Sequence, residues 1–357
     1  MNKKLICLAV AGVLAVPASA NAYEILGKKL EVYGKVHMSV DASDNDRAAP
    51  NNQKDLSVSS NSSRLGFKGQ YDMENGMAAL YQIEQEVNLD SGGDTFATRN
   101  SFIGLKGGFG TVLAGIHDTP FKDVAGKWDM FGDTVGDRRA ILGAGATLGN
   151  KMNQRGKNAL MYKNKFGDLE LRAMYSTDAA DSAPGALDNN NNDMGSVAVF
   201  YNSGPLFLAA GYEKWSNLDG SLGKAKGWRA AGGYKIGQAK VGLVYESIKT
   251  DAPAAVSLDR NAWGINGSFK LSKATAVKAQ YMRAGDYKGV ANSGANVVTL
   301  GVFNKIDKHN SVYAAYTRTN NDTNAKYQGV DGGHHDEVKT DLGGSPSAFS
   351  VGYVFKF

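Results

Sequence analysis

The sequence predicts an all-β fold, a transmembrane antiparallel up-and-down β-barrel of about sixteen strands. Three observations predict it: segments of about ten residues in which apolar and polar side chains alternate, connections that are short and long in turn, and a chain length that fits sixteen strands. The sequence has no apolar run of 18 residues, which excludes a membrane protein built of helices. A barrel hides its apolar residues by alternation and is hydrophilic on average.

Sixteen segments follow the two-residue period of a strand. In the first, the apolar Val32, Val36 and Val40 alternate with polar neighbours that include Lys35 and His37. The predicted strands are residues 30–41, 64–71, 79–87, 98–106, 111–117, 157–165, 169–177, 196–202, 206–215, 227–236, 239–249, 260–271, 274–285, 296–306, 311–319 and 348–357. At about 21 residues for a strand and its share of the connections, the chain accommodates sixteen strands, which enclose an aqueous lumen.

The predicted connections alternate in length along the chain. Short turns such as residues 72–76 and 203–205 are interleaved with long polar stretches such as residues 43–62, 118–154 and 320–347. Short turns at one end and long loops at the other are typical of an outer-membrane barrel.

The amino terminus has the features of a secretory signal peptide, predicted as residues 1–22. Two lysines precede an apolar stretch, residues 5–16, and the small-residue cleavage site Ala20-Asn21-Ala22 follows. The remaining residues 23–357 are predicted to form one β-barrel domain. Cleavage also removes Cys7, the only cysteine, so the mature chain has no thiol for a disulfide, for catalysis or for a metal.

The charge of the chain argues against nucleic acid as a partner. Loss of two lysines with the signal peptide lowers the formal net charge from +5 to +3, and both signs are scattered along the sequence. Such a small and dispersed charge gives no footprint for nucleic acid. The sequence contains no nucleophile–base motif and no paired carboxylates on a soluble scaffold, so we expect no catalytic residues, no metal site, no cofactor and no enzyme activity.

Aromatic residues near the predicted strand ends indicate a belt at the membrane interface, where a ring contacts lipid and its polar atom contacts headgroups. The alternative is the buried core of a β-sandwich. The aromatic residues that we place on the apolar face are Phe102, Tyr175, Tyr212, Tyr234, Trp263, Phe269 and Tyr353.

The last predicted strand ends the chain with Tyr353, Phe355 and Phe357 on one face. A soluble protein usually leaves its terminus polar and frayed. A terminal phenylalanine on a strongly alternating strand looks like an outer-membrane assembly signal. We therefore expect these three residues to be read by the barrel-assembly machinery during insertion.

Four motifs carry a resemblance to a known family. They are Val32-Tyr33-Gly34-Lys35, Ser63-Arg64-Leu65-Gly66-Phe67-Lys68-Gly69, Thr98-Arg99-Asn100-Ser101-Phe102-Ile103-Gly104-Leu105-Lys106-Gly107 and Val351-Gly352-Tyr353-Val354-Phe355-Lys356-Phe357. In this order, behind a signal peptide, they resemble the Gram-negative general (trimeric) porin family over essentially the whole mature chain. The resemblance implies a homotrimer in the cell outer membrane, in contact with lipid and lipopolysaccharide, that passes ions and small hydrophilic solutes by diffusion.

The resemblance also implies a pore constriction. In this family the third extracellular loop folds into the barrel, and the matching connection here is residues 118–154. Its segment Asp129–Thr134 is similar to the acidic, glycine-containing tip of the family's loop, although the usual Pro-Glu-Phe-Gly-Gly form is absent. The implied acidic residues of the constriction are Asp118, Asp123, Asp129, Asp133 and Asp137.

Basic residues on the barrel wall would face that loop. Lys35, Arg64 and Arg99 occupy the matching motif positions and also lie on the polar face in the alternation; Arg155 is a less direct fourth member. Opposed charges would make a field across the pore that orients dipolar solutes and separates cations from anions. The alternative is that Arg64 and Arg99 pair with Glu84 or Glu86 and only stiffen the wall.

Two other functions remain open at this point. A substrate-specific porin for a sugar would need aromatic residues along the lumen, and one for an anion would need a dense inward ladder of Arg and Lys. An outer-membrane adhesin or other surface protein would need a passenger domain, which the sequence does not contain. The stretch His334-His335-Asp336-Glu337 has metal-ligand residue types, but adjacent histidines usually point apart, so we expect a solvent-exposed loop there.

Overall fold

The sheet of this protein closes on itself. The computed structural model describes residues 23–24, 28–91, 96–144, 151–179, 192–218, 223–251, 259–330, 334 and 337–357, and the predicted signal peptide lies outside this part of the chain. Sixteen strands pair antiparallel with their neighbours in sequence, and the last pairs with the first, from Ser347 opposite Asp44 to Lys356 opposite Lys35. The predicted barrel and its strand number are therefore confirmed.

Two of the sixteen strands are interrupted, and a short segment, Tyr23–Glu24, pairs with the start of the first. The strands are β1 (Glu31–Asp44), β2 (Lys54–Ser60 and Arg64–Asp72), β3 (Ala78–Val87), β4 (Phe96–Thr98 and Ser101–Gly107), β5 (Gly110–Asp118), β6 (Arg155–Phe166), β7 (Leu169–Ser176), β8 (Met194–Ser203), β9 (Leu206–Trp215), β10 (Ala225–Ile236), β11 (Ala239–Thr250), β12 (Arg260–Lys270), β13 (Thr275–Ala284), β14 (Ala295–Lys305), β15 (Asn310–Asn321) and β16 (Ser347–Lys356).

One segment that the sequence placed in a loop, Lys54–Ser60, is a strand. It forms the first half of β2 and pairs with β1. Leu56 and Val58 are exposed on the outer surface, whereas Ser59 is buried. The inward serines made this strand look like a polar loop, because a barrel with an aqueous lumen needs no apolar inner face.

Most of the aromatic residues predicted to face outward do so. Tyr175, Tyr212, Tyr234, Trp263, Phe269 and Tyr353 are all exposed. The prediction for Phe102 is wrong: its ring is half-buried and packs against the ring of His117, with centroids 5.4 Å apart. The neighbouring Ile103 and Leu105 take the outward positions, and since side chains alternate along a strand, Phe102 must face inward.

The connections sort by length between the two ends of the barrel. Residues 73–77, 108–109, 167–168, 204–205, 237–238, 271–274 and 306–309 join strands at one end, which we call the short-turn end. The longer connections lie at the opposite, long-loop end. In the described part of the chain, no helix is long and apolar enough to cross a membrane.

The connection between β5 and β6, which we call the third loop, packs on inward-facing wall residues. It begins with the helix α1 (Pro120–Gly126), whose first turn is capped by Thr119 Oγ1 accepting from the backbone N–H of Lys122 at 3.2 Å. Short 3-10 turns follow at Arg138–Ala140, Leu142–Ala144 and Lys151–Asn153. Apolar loop residues pack in one cluster with inward-facing residues of β8 to β14; its members include Val124, Trp128, Ile141, Leu142, Ala198, Ala231, Val244, Ala262 and Val297.

The carboxyl terminus lies on the first strand. Phe357 and Gly34 exchange two backbone hydrogen bonds, of 3.0 and 3.2 Å. A Cβ on residue 34 would lie 2.4 Å from the ring of Phe357, so only glycine lets this ring approach β1 so closely.

Candidate functional site

The inner wall of the barrel has two unlike regions. From β8 to β14 it presents small apolar residues, such as Ala198 and Ala231, and the third loop covers them. From β1 to β4 it presents charged residues, among them Lys35, Arg64 and Arg99. The loop therefore lies on the β8 to β14 side and turns part of its own surface toward β1 to β4.

Asp133 is the loop residue in closest contact with the charged wall. Its carboxylate lies 2.7 Å from Lys35 Nζ and 4.0 Å from Arg64 Nη1, and Arg139 of the loop approaches it at 3.2 Å. Burial alone would raise the pKa of Asp133, but Lys35 and Arg139 hold that pKa well below its usual range. Asp133 is therefore a permanent negative charge at this position.

A second group of charges lies beside the first, on β2 to β4. Arg99 Nε is 2.7 Å from Glu84 and Arg99 Nη1 is 2.5 Å from Glu86. Arg64 Nε is 3.9 Å from Glu84, which also accepts a hydrogen bond from Tyr33. Arg64 and Arg99 thus have carboxylate partners on the wall, and Arg64 also reaches the loop.

The beginning and end of the third loop meet at a third group. Asp118 lies 2.6 Å from Lys122 Nζ and 3.4 Å from Arg155 Nε, and it accepts a hydrogen bond from Asn100 at 3.1 Å. Burial lowers the pKa of Lys122 to about 8, although the nearby Asp118 partly opposes this shift. Arg155 and Asp118 are brought together here.

Two of the other three predicted acidic residues are buried within the loop, contrary to the expectation that all five line a pore. Asp129 is 2.5 Å from Arg138 with its side chain 3% exposed, and Asp137 is 2.8 Å from Arg139 with its side chain fully buried. Both carboxylates therefore hold the loop to itself.

Asp123 is the fifth, and it lies 2.5 Å from Arg172 of β7. Sequence reasoning missed the loop's own cations, Arg138, Arg139 and Lys122. The adjacent arginines at 138 and 139 and the four-residue spacing of Asp118 and Lys122 were the available signals.

One ion pair on the wall holds the loop at three separate points. Arg229 of β10 and Glu246 of β11 are fully buried, and Arg229 Nε donates to Glu246 at 2.9 Å. Arg229 also donates to the carbonyl of Phe121 at 3.2 Å and to Asn153 Oδ1 at 3.0 Å. Glu246 accepts from the N–H of Gly143 at 2.9 Å.

The glycine at position 143 is required by this contact. Its φ of 78° lies in the left-handed region, and a Cβ there would lie 1.9 Å from the side chain of Asn153. Asn153 in turn donates to the carbonyl of Leu142 at 2.6 Å. The pair Arg229–Glu246 therefore fixes the start, the middle and the end of the loop relative to the wall.

Further wall side chains bind the backbone of the loop. Asn266 donates to the carbonyl of Trp128 at 2.6 Å, and Gln280 donates to the carbonyl of Gly136 at 3.0 Å. Lys278 donates to the carbonyl of Met130 at 2.8 Å. Buried backbone carbonyls need hydrogen-bond donors, and these three wall side chains supply them to the loop.

The connection between β15 and β16 also turns inward, contrary to the expectation of an exposed loop. His334 is 2% exposed, and its Nε2 lies 2.9 Å from Asp41 of β1. Val330 and Val338 pack with Val135 of the third loop. His335 and Asp336 lie outside the described residues, and within the described ones no three His, Cys, Asp or Glu side chains are grouped to hold a metal.

The sequence is similar to those of known proteins. The sequence model of the family described as Gram-negative porin matches residues 8–324. Outer membrane porin protein 32 of Delftia acidovorans is 28% identical over 324 residues, covering 88% of each chain. Major outer membrane protein P.IB of Neisseria meningitidis serogroup B is 34% identical over 144 residues, 38% of this chain and 40% of that protein.

Solved structures share the fold. The anion-selective porin from Comamonas acidovorans superimposes with a TM-score of 0.74 at 24% identity, covering 92% of this chain and 99% of that one. A trimer form of OmpT from Vibrio cholerae superimposes with a TM-score of 0.67 at 20% identity, again covering 92% and 99%.

Proposed function

We propose that this chain, which belongs to the Gram-negative porin family, is a general diffusion channel for ions and small hydrophilic solutes. Porins are channels rather than enzymes, and the protein resides in the outer membrane. The observation that carries the proposal is the contact of Asp133, on the inward-folded loop, with Lys35 and Arg64 of the wall. This is the constriction of the proposed pore.

The constriction acts on solutes through its field. Carboxylates of the loop and cations of the wall point toward one another, and such an arrangement orients dipolar solutes and gives cations and anions different paths. Charges that face water are screened within about 8 Å at physiological salt. Selectivity is therefore weak and falls as salt rises.

The balance of charge in the constriction favours a weak preference for anions. The network around Asp133 joins four basic and four acidic side chains, namely Lys35, Arg64, Arg99, Arg139, Glu84, Glu86, Asp133 and Asp137. The group around Asp118 adds two basic residues, Lys122 and Arg155, to one acidic residue. The excess of one positive charge agrees with the likeness to a porin that is itself anion-selective.

A homotrimer is the second part of the proposal. Near the long-loop end, β9 to β12 expose Tyr212, Trp228, Tyr245 and Trp263, whereas the described outer face of β1 and β2 there exposes the aliphatic Val40, Leu56 and Val58. Aromatic residues favour the lipid interface, so the aliphatic face is the better surface for contact between copies. The trimer form of OmpT supports this assembly.

The proposal also covers the processing of the chain, its assembly and its orientation in the membrane. The mature chain starts at Tyr23 as one barrel domain, with residues 1–22 removed. Tyr353, Phe355 and Phe357 are read by the barrel-assembly machinery. The long-loop end is extracellular and contacts outer-leaflet lipopolysaccharide, while the short-turn end faces the periplasm.

Solute flux separates a general channel from a substrate-specific one. In liposomes that contain the protein, we expect swelling rates for neutral sugars to fall smoothly with size and to rise linearly with concentration, because the described aromatic residues near strand ends mostly face lipid. Empty liposomes are the control. Saturation of the flux of a single sugar at low concentration would show a specific porin instead.

Lys122 predicts a dependence of selectivity on pH. A lysine whose pKa is about 8 is charged below that pH and neutral above it. The anion preference is therefore expected to decline between pH 7 and pH 9.5, as measured by the reversal potential in a salt gradient. In Lys122→Gln the part of the decline due to this residue is absent; an unchanged decline in that variant contradicts the assignment.

A further inference from the structure

Three lysines form a continuous row on the outer surface near the long-loop end. Lys214 of β9 lies directly opposite Lys226 of β10, and Lys226 lies directly opposite Lys249 of β11. All three are exposed, and the residues beside them in each strand, such as Trp215 and Ala225, are buried inside. Since side chains alternate across a sheet, the three ammonium groups face the membrane side of the wall.

Three adjacent ammonium groups repel one another unless an anion binds between them. Side chains that lie directly opposite in neighbouring strands have Cβ atoms about 5 Å apart, and like charges there destabilise the sheet. Across the described chain, no carboxylate lies within ion-pair distance of Lys214, Lys226 or Lys249. By contrast, the outward-facing Arg283 on β13 pairs with Asp322 at 2.6 Å.

An aromatic patch lies immediately below the row, toward the membrane. Tyr212 is opposite Trp228 in the register two residues from the lysines, and the rings of Trp228 and Tyr245 stack with centroids 4.9 Å apart. Trp263 follows opposite Tyr245 on β12. Interfacial Trp and Tyr mark the level where headgroups meet acyl chains. The lysines therefore stand at headgroup level, above rings that contact acyl chains.

The space beside Lys214, at one end of the row, is open. Gly195 of β8 lies opposite Lys214, and a Cβ there would meet no atom within 4 Å. No side chain of the neighbouring strand thus covers the first lysine.

We propose that Lys214, Lys226 and Lys249 bind the phosphate groups of the outer-leaflet glycolipid, with Trp228 and Tyr245 in contact with the upper part of its acyl chains. The anion must be multiply charged to neutralise three adjacent ammonium groups, and it must carry an apolar part to use the rings. A phosphorylated glycolipid has both. This site deepens the proposed contact with lipopolysaccharide and does not depend on the channel proposal.

Binding of purified lipid A with two phosphates, measured by thermophoresis of the folded protein in detergent, tests the site. In the triple variant Lys214→Gln, Lys226→Gln, Lys249→Gln we expect the affinity for lipid A to fall roughly 100-fold. Each substitution removes the attraction of one ammonium group for the anionic lipid. The matched control replaces three exposed lysines of the short-turn end, Lys270, Lys305 and Lys308, by glutamine and retains the affinity. Arginine at the three outer positions also retains it.

Two further arms identify the ligand. Lipid A stripped of its phosphates is expected to bind about as weakly as the lipid does to the triple glutamine variant, and inorganic phosphate at the same concentration is not expected to compete. Equal affinity for the glutamine variant, or for the stripped lipid, overturns the proposal. Effective competition by inorganic phosphate would instead make this a site for free anions. Conductance of the same preparations reports separately on the channel.

Discussion

Replacing Glu246 with leucine is expected to release the third loop from the wall, with larger and noisier single-channel currents and a lower temperature of barrel unfolding. The substitution leaves Arg229 charged, buried and unpaired, and it removes the acceptor of the Gly143 N–H. Removing one partner of a buried ion pair costs about 3–5 kcal/mol. Currents through single channels in planar bilayers and heat-modifiability on gels measure the two effects.

Two further variants make this prediction specific. Glu337→Leu removes a half-exposed carboxylate from the connection between β15 and β16, and it is expected to leave the currents close to those of the unmodified protein. The double variant Arg229→Leu, Glu246→Leu removes the unpaired charge, so the barrel should regain most of its stability while the loop stays loose. If all of these proteins gave the same currents, the pair would not anchor the loop.

Replacing both Arg64 and Arg99 with alanine is expected to reverse the ion preference from weakly anionic to cationic. Loss of Arg99 leaves Glu84 and Glu86 without their closest partner, and loss of Arg64 removes a further positive charge beside Asp133. A unit charge at 4 Å in water is worth about 1 kcal/mol, so each loss should change the permeability ratio by roughly two- to fivefold. Reversal potentials in a salt gradient measure it.

Neutralising the loop carboxylate is expected to change the ion preference in the opposite direction. Asp133→Asn removes the loop charge nearest the wall and should increase the anion preference. Arg318→Ala, on the outer face of β15, removes an arginine that does not face the lumen and serves as the control. Reversal potentials that are the same for all of these variants would show that Asp133 and the wall arginines do not form the constriction.

Strands and their number could be predicted from the sequence because a barrel wall has a strict two-residue period. Leu30 to Asp41 and Ala348 to Phe357 show it plainly, and the structure has strands at Glu31–Asp44 and Ser347–Lys356. The strand Lys54–Ser60 was not predicted because its inward residues are polar, mainly serines. Phe102 was placed on the wrong face because either phase of its segment offers apolar residues.

The candidate site could be predicted only in part. Family motifs pointed to Lys35, Arg64 and Arg99, but they could not tell which loop carboxylates turn toward the wall. That choice depends on Arg138 and Arg139, which bind Asp129 and Asp137 within the loop. The role of the ion pair Arg229–Glu246 in holding the loop could not be predicted from the local sequence, because its partners in the loop lie more than 70 residues away in sequence. Alanine recurs on the inner face of β8 to β12, at Ala198, Ala209, Ala231 and Ala262, a pattern that in retrospect marks a wall covered by a loop.

Stepwise conductance of the folded, heat-modifiable protein in a planar bilayer tests the central claim most directly. A homotrimeric diffusion channel predicts current steps that occur in groups of three, with a small anion preference that weakens as salt is raised. Folded protein that inserts and gives no conductance would contradict the claim that this chain forms a channel.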